Sequence, residues 1–253
     1  MRIEASRGPL WVGVIVCLSF IGSAAPARGD VVSYTTAASA VVFNFDDDLV
    51  ESPSPWFGTQ IASDNGLTLI PYDFRASSLG GSPLIDALDG TFVVTISAKP
   101  GQSIHSVIIS EKGDFDLFSA GGGTAMTQVD VKAVFDPYVK VNGSWLTLPS
   151  VHMAFSQNSG GPFNQNGNYN VVANPGTGQD WYGRVFLNVA AAASGPVEQV
   201  MLVLDNKLLA ISEASTYAFI AKKRLEFEAV VPEPSGLALL AAGAFAWLAW
   251  RRK

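Results

Sequence analysis

The sequence predicts an all-β protein: an antiparallel, jelly-roll-like β-sandwich between an N-terminal signal peptide and a short C-terminal transmembrane helix. Three observations favour the sandwich. Apolar and polar residues alternate with a period of two along much of the chain, whereas a helical period does not recur. The 24 glycines and 14 prolines among 253 residues are typical of many short strands joined by turns. Apolar residues make up 48% of the chain, which is enough to fill a core.

Residues 1–29 have the layout of a secretory signal peptide. Two arginines precede an apolar run, Leu10 to Ala25, and small residues follow it. A basic start, an apolar middle and a small-x-small end are the three parts of such a signal. We expect cleavage after Gly29, with cleavage after Ala27 as the alternative. The single cysteine, Cys17, lies in this segment, so the mature protein carries no thiol.

Residues 30–230 are predicted to form one β-sandwich domain. Residues 128–134 alternate apolar side chains with Gln, Asp and Lys, which predicts a strand with one face in solvent. The pair Asn142-Gly143 predicts a type I′ hairpin turn, and Asn206 predicts another tight turn. The predicted strands are Val31–Thr36, Ala40–Phe45, Leu67–Ile70, Thr91–Ala98, Ile104–Ser110, Asp114–Phe118, Thr127–Phe135, Tyr138–Val141, Trp145–Leu148, Val151–Ser156, Trp181–Ala190, Val197–Leu204, Leu208–Ile211 and Tyr217–Val230.

Charge and residue content exclude several classes of protein. Between residues 30 and 234 there are 21 acidic and 10 basic residues, a net charge of −11 that argues against nucleic acid as a partner. His105 and His152 each lie among apolar residues in a predicted strand, which favours structural, partly buried histidines over general bases. Asp114 and Asp116 share one side of a strand, so they are either a solvated face or an acid and base flanking a sugar. We assign no catalytic residue.

One acidic segment is a candidate calcium site. It begins at the end of a predicted strand and contains Asp46, Asp48 and Glu51. Calcium binds six to eight oxygen atoms, which several carboxylates and backbone carbonyls of one loop are able to supply. The alternative is an acidic turn in solvent, without metal.

A second irregular segment, residues 157–180, is a candidate glycan-binding loop. It contains six Asn and five Gly. Amide groups donate and accept hydrogen bonds with sugar hydroxyls, and aromatic faces cover the apolar side of a sugar ring. Trp181 has an alternative role, in which it opens the next strand and packs in the core. The candidate aromatic residues are Phe163, Tyr169, Trp181 and Tyr182.

The C-terminus has three successive parts. Pro232, Glu233 and Pro234 precede an apolar segment, residues 236–250, and the chain continues with Arg251, Arg252 and Lys253. The 15 residues of that segment would span ~22 Å as a helix in a membrane core of ~30 Å. The basic residues place this end on the cytoplasmic side and the body outside.

This order of parts resembles the PEP-CTERM sorting signal of Gram-negative bacteria, a resemblance confined to the last 23 residues, 231–253. The resemblance implies export, processing by an exosortase-like membrane protease and association with exopolysaccharide. A GPI signal is the eukaryotic alternative, but it normally lacks the basic end.

Together these observations predict a non-enzymatic protein of the cell envelope or extracellular matrix, transiently anchored in the inner membrane. A structural or adhesive role with exopolysaccharide as partner is the leading hypothesis. The alternatives are a carbohydrate-binding module and a polysaccharide-active enzyme. We expect no cofactor other than the possible calcium ion, and no membrane contact other than through the C-terminal helix before processing.

Overall fold

The computed structural model describes residues 31–46, 58–81 and 84–232. Over these residues the chain forms fifteen strands, numbered β1 to β15 in chain order, and one short helix, α1 (Val189–Ala192). The side chain of Asn188 caps α1 by accepting a hydrogen bond from the Ala191 amide at 3.1 Å. The all-β prediction is confirmed. None of the described residues forms a helix long and apolar enough to cross a membrane.

Two antiparallel sheets contain all fifteen strands. The first sheet has eight strands. In spatial order these are β1 (Val31–Tyr34), β2 (Val41–Asp46), β6 (Leu84–Ala98), β14 (Val197–Ser212), β8 (Gln128–Val141) and β10 (Val151–His152), with β9 (Ser144–Thr147) and β12 (Asn168–Asn170) also paired to β8.

The second sheet has seven strands. Its spatial order is β11 (Ala154–Ser156), β13 (Gly176–Leu187), β7 (Ser106–Ser119), β15 (Thr216–Val230), β4 (Gly66–Ile70) and β3 (Thr59–Ser63), with β5 (Arg75–Leu79) also paired to β15. The final strand, β15, therefore has neighbours along both edges.

The inner faces of the two sheets share one core. Phe92 of the first sheet stacks on Phe227 of the second, with ring centroids 6.1 Å apart. Tyr169 of the first sheet stacks on Phe115 of the second at 4.6 Å. Burial alternates along the long strands, so one side of each contributes to this core.

A bulge in β15 changes which residues face inward. Alternate residues from Thr216 to Lys222 are buried before the bulge, whereas Leu225, Phe227 and Ala229 are buried after it. The pairing with β7 slips at the same place, between Lys222 and Arg224. An extra residue at a bulge shifts the period-two pattern by one. Alternation from Thr216 turns Lys222 into the core, and the bulge after it turns the next residues of β15 inward on the other phase.

Several predicted strands join into longer ones. Strands β7, β8 and β14 each span two segments that the sequence analysis separates. The predicted turn at Asn206 is wrong, because Asn206 lies in the middle of β14 and is fully buried. The turn at Asn142-Gly143 is confirmed: both residues have positive φ, 50° and 76°, and join β8 to β9.

Other predicted boundaries also differ from the structure. The segment predicted as one strand at 151–156 divides at Met153 between β10 of the first sheet and β11 of the second. Strands β3, β5 and β12 are not predicted, and β12 and the start of β13 lie within the segment predicted as a loop. His105 and His152 are exposed, and His105 precedes β7, so the prediction of partly buried strand histidines is wrong for both.

Candidate functional site

The structure separates the four predicted sugar-contacting aromatics. Tyr169 and Trp181 are buried in the core, at 2% and 0% exposure. Phe163 and Tyr182 are half-buried. A ring must offer a free face to cover a sugar. The structure therefore corrects the prediction for Tyr169 and Trp181, which have no such face.

The packing of Tyr169 and Trp181 explains their burial. Tyr169 lies on β12 and stacks almost parallel to Phe115, at an interplanar angle of 11°. Burial raises the pKa of its phenol to about 12. Trp181 lies over Gly113 of the neighbouring strand, where an added Cβ would collide with the indole ring. Gly113 therefore provides the space that Trp181 fills, as the core alternative in the sequence analysis expects.

The end of the predicted loop borders a shallow depression of about 440 Å³. Its lining is mostly small and apolar residues from β7, from the segment between β7 and β8, and from the segment that joins β12 to the start of β13. These are Leu117, Phe118, Ser119, Gly122, Gly123, Val171, Pro175 and Gly176. Phe118, which is 54% exposed, is the only aromatic residue in this lining.

The solvent side of β13 carries a second group of residues, which we name the β13 strip: Tyr182, Arg184 and Phe186. Because Trp181 faces inward, alternation turns these three residues to the outer face of the second sheet. Phe186 is 59% exposed. Arg184 and Phe186 are not among the predicted site residues, although alternation counted from Trp181 places both on the same face as Tyr182.

Polar contacts fix one end of the β13 strip. The Tyr182 hydroxyl donates to the Asp180 carboxylate at 3.0 Å. Lys112 of β7 lies beside both, with its Nζ 3.4 Å from Asp180 Oδ2 and 5.3 Å from the Tyr182 ring centroid. The negative charge of Asp180, then Tyr182, raises the pKa of Lys112 above its ordinary value. The strip thus combines aromatic surface with charged hydrogen-bonding groups.

The carboxylates at Asp114 and Asp116 have partners of their own on the same outer face. Asp114 forms an ion pair with Lys223 at 3.4 Å. Asp116 accepts a hydrogen bond from the Gly178 amide at 2.5 Å. Both contacts are those of a half-buried strand face.

The predicted calcium ligands fall mainly outside the described residues. Asp46 is the last residue of β2, whereas Asp48 and Glu51 lie in the undescribed range 47–57. Among the described residues, no group of three or more His, Cys, Asp or Glu side chains is placed to hold a metal ion. The calcium site stays a prediction.

The end of β15 leads into the C-terminal segment. Val230 is the last residue of the strand, and Pro232 is the last residue that the structure describes. Glu233, Pro234 and the basic residues 251–253 lie outside the described range, as do the predicted helix at 236–250 and the predicted signal peptide at 1–29.

Comparison with known proteins identifies this segment. The chain is an all-β protein of two antiparallel sheets, with a sorting segment attached to its final strand. Residues 230–253 match the PEP-CTERM protein-sorting motif, which confirms the resemblance seen in the sequence. The chain is therefore an exported protein that is sorted by an exosortase, a membrane protease, and is transiently anchored in the membrane.

The sorting motif covers only the C-terminal end of the chain. No curated protein matches the sequence. A solved structure, that of infectious bursal disease virus Gt strain, aligns at 12% identity and a TM-score of 0.09. The alignment covers 76% of this chain and 52% of the viral chain, and so small a TM-score carries no argument about fold or function.

Proposed function

We propose that the exported part of this chain is a non-enzymatic structural or adhesive protein of the cell envelope or extracellular matrix, with exopolysaccharide as its partner. The observation that carries the proposal is the position of the sorting motif, which begins at Val230, the last residue of β15. The sorting motif thus begins at the end of a strand that has neighbours along both edges. Such an attachment suits a protein that is held at a surface as one rigid unit.

The β13 strip supports exopolysaccharide as the partner. The exposed ring of Phe186 and the half-buried ring of Tyr182 suit the apolar faces of sugar rings, and Arg184 between them is a hydrogen-bond donor to hydroxyl or carboxylate groups. Residues two apart on one strand face are separated by ~7 Å, so the two rings lie ~14 Å apart. That spacing fits a polymer that runs along the strand. A carbohydrate-binding module is the second candidate function, on the same residues.

The remaining expectations from the sequence complete the proposal. The two sheets would form a jelly-roll-like sandwich, and residues 30–230 one domain. Residues 1–29 would be removed as a signal peptide, and residues 236–250 would span the membrane until the exosortase acts. Calcium at Asp46, Asp48 and Glu51 would reduce the repulsion between an acidic domain and an acidic polymer.

Processing is tested in a host that produces the full chain. We expect wild-type protein to begin near Asp30 and to lack Arg251, Arg252 and Lys253 when its intact mass is measured. A variant with Pro232→Ala and Pro234→Ala should keep the tail and collect in the membrane fraction. Release of that variant in the same form as wild type would contradict exosortase-dependent sorting.

Polymer binding is tested by co-sedimentation with the host's own exopolysaccharide. Phe186→Ser and Tyr182→Ser should each weaken binding several-fold, because each removes one stacking face. Phe118→Ser is the matched control, since Phe118 is a similarly exposed ring at the loop depression. Loss of binding in Phe118→Ser alone would move the site to that depression. Absence of binding by folded wild-type protein would contradict a polysaccharide partner altogether.

A further inference from the structure

Three polar side chains meet inside the core between the two sheets. Glu111 lies on β7, Asn206 on β14 and Lys222 on β15, and each is at most 2% exposed. One oxygen of Glu111, Oε1, contacts both partners: Lys222 Nζ is 2.5 Å away and Asn206 Nδ2 is 2.6 Å away. The two nitrogen atoms are therefore separated by no more than two hydrogen-bond lengths. We name these residues the core triad.

The core triad spans both sheets. Asn206 belongs to the first sheet, and Glu111 and Lys222 belong to neighbouring strands of the second. Alternation along β7 and β14 turns Glu111 and Asn206 inward, and alternation along β15 before its bulge does the same for Lys222. The fold thus brings a lysine, a side-chain amide and a carboxyl group together in a fixed arrangement.

The surroundings of the core triad favour the uncharged form of the lysine. The Lys222 Nζ lies 5.4 Å from the centroid of the Phe74 ring. Burial lowers the pKa of Lys222 to about 8, although the neighbouring Glu111 opposes that change. Transfer of one proton from the ammonium to the carboxylate converts a buried ion pair into a neutral amine and a neutral acid. A neutral lysine amine is a nucleophile.

Two further atoms of the core triad are placed to help such a reaction. Glu111 Oε2 and Asn206 Oδ1 are both buried, and neither has a hydrogen-bond partner among the described residues. Once Glu111 is protonated, it is able to donate a hydrogen bond to the amide oxygen of Asn206 after a small rotation of that side chain. This bond would polarise Asn206 Cγ, the carbon that bears the amide nitrogen.

We propose that Lys222 and Asn206 form an intramolecular amide bond in the folded protein, with Glu111 as the catalytic residue that relays protons. Lys222 Nζ attacks Asn206 Cγ, so a C–N bond forms and the amide oxygen takes up the electron pair. The protonated Glu111 delivers its proton to the departing nitrogen and then accepts one from the attacking nitrogen. The original C–N bond of Asn206 then breaks, and ammonia leaves.

The reaction balances without an added reactant. A primary amine and a primary amide become one secondary amide and one molecule of ammonia, and Glu111 ends in the protonation state in which it began the attack. No atom is oxidised or reduced. The product links β14 to β15 and hence the first sheet to the second. This inference does not depend on the proposed function, since the triad lies in the core and the β13 strip on the surface.

The test is tryptic peptide mapping by mass spectrometry of the purified, folded full chain. Peptides from the interior of the chain are read, so processing at either end has no effect. In the linked protein, trypsin should not cleave after Lys222, so peptide 208–223 should appear joined to peptide 185–207. The mass of the joined species should be lower by one ammonia than the sum of the two peptide masses. Separate peptides 185–207 and 208–222 at full mass would overturn the proposal. So would ammonia loss confined to 185–207, which is the signature of a cyclic imide at Asn206.

Variants assign the roles. Lys222→Met and Asn206→Ala should abolish the linked peptide, and Glu111→Gln should reduce it at least tenfold because the relay is lost. Lys223→Met is the matched control, because Lys223 is the adjacent residue and its side chain is 55% exposed; it should leave the link intact. Circular dichroism reports whether each variant folds. If Glu111→Gln unfolds, the wild-type peptide map still decides whether the bond exists.

Discussion

The second sheet carries a lysine–carboxylate pair on each face, and the two pairs behave in opposite ways. On the inner face, Lys222 and Glu111 are in contact at 2.5 Å with side chains that are fully buried. On the outer face, Lys112 and Asp180 are 3.4 Å apart and nearly half exposed. Glu111 and Lys112 are consecutive residues of β7, so alternation alone sends one carboxylate inward and one ammonium outward.

The comparison shows that burial reverses the direction in which the pKa of a lysine beside a carboxylate shifts. On the outer face, water solvates both charges, and the nearby carboxylate dominates, so the pKa of Lys112 rises. On the inner face, desolvation outweighs the attraction, so the pKa of Lys222 falls to about 8. The outer pair is a surface contact that water is able to replace. In the inner pair, each side chain depends on the other, because water does not reach the core.

The largest expected effect comes from removing one member of the inner pair. Lys222→Met should lower the free energy of unfolding by about 3–5 kcal/mol, because it leaves the buried Glu111 carboxyl group without its lysine partner. Lys112→Met on the outer face should change it by less than about 1 kcal/mol. Urea unfolding followed by tryptophan fluorescence measures both. Equal losses of unfolding free energy in the two variants would contradict the proposed difference between the inner and outer faces.

A smaller effect should come from filling the space beside the inner pair. Gly113→Ala places a methyl group against the Ala221 carbonyl and the Trp181 ring, so we expect a loss of about 1–3 kcal/mol from overpacking. Gly121→Ala is the control, since a Cβ there meets no atom within 4 Å. Urea unfolding of the two variants should differ by that amount. A neutral Gly113→Ala would mean that Trp181 is able to move away from β7.

The smallest effect should be the pH dependence of the outer pair. Asp180→Asn should lower the pKa of Lys112 toward its ordinary value of 10.5, because Asp180 is the main cause of the increase. A raised lysine pKa adds stability that is present below the unfolded pKa and is lost as pH rises through the folded pKa. Since the pair is half exposed, at most about 0.5 kcal/mol is involved. NMR titration of the Lys112 side chain measures the pKa, and an unchanged value would contradict the assigned cause.

The local sequence pattern was sufficient to predict a strand or turn where that element depends only on its own residues. Alternation predicted β2 and β15 closely, and the positive φ that Asn142 and Gly143 tolerate predicted the hairpin. It failed at Asn206, where the preference of asparagine for turns is outweighed by a hydrogen bond to a glutamate 95 residues earlier. Such a partner is invisible to any local window.

The candidate sites show the same limit. Alternation states that Trp181 and Tyr182 face opposite ways, but it does not state which of them faces the core. That choice depends on Gly113, which lies on another strand and leaves room for the indole. The division of residues 151–156 between two sheets likewise depends on where the neighbouring strands lie. In both cases the outcome is decided by packing against residues that are distant in the sequence.

The position of β15 determines how this molecule would carry a mechanical load. While the C-terminal segment holds the chain in the membrane, any drag on the domain becomes tension on Val230 and passes directly into β15. An edge strand would peel away one hydrogen bond at a time. Strand β15 is hydrogen-bonded to β7 along its whole length and to β4 and β5 on the other edge, so many bonds resist together.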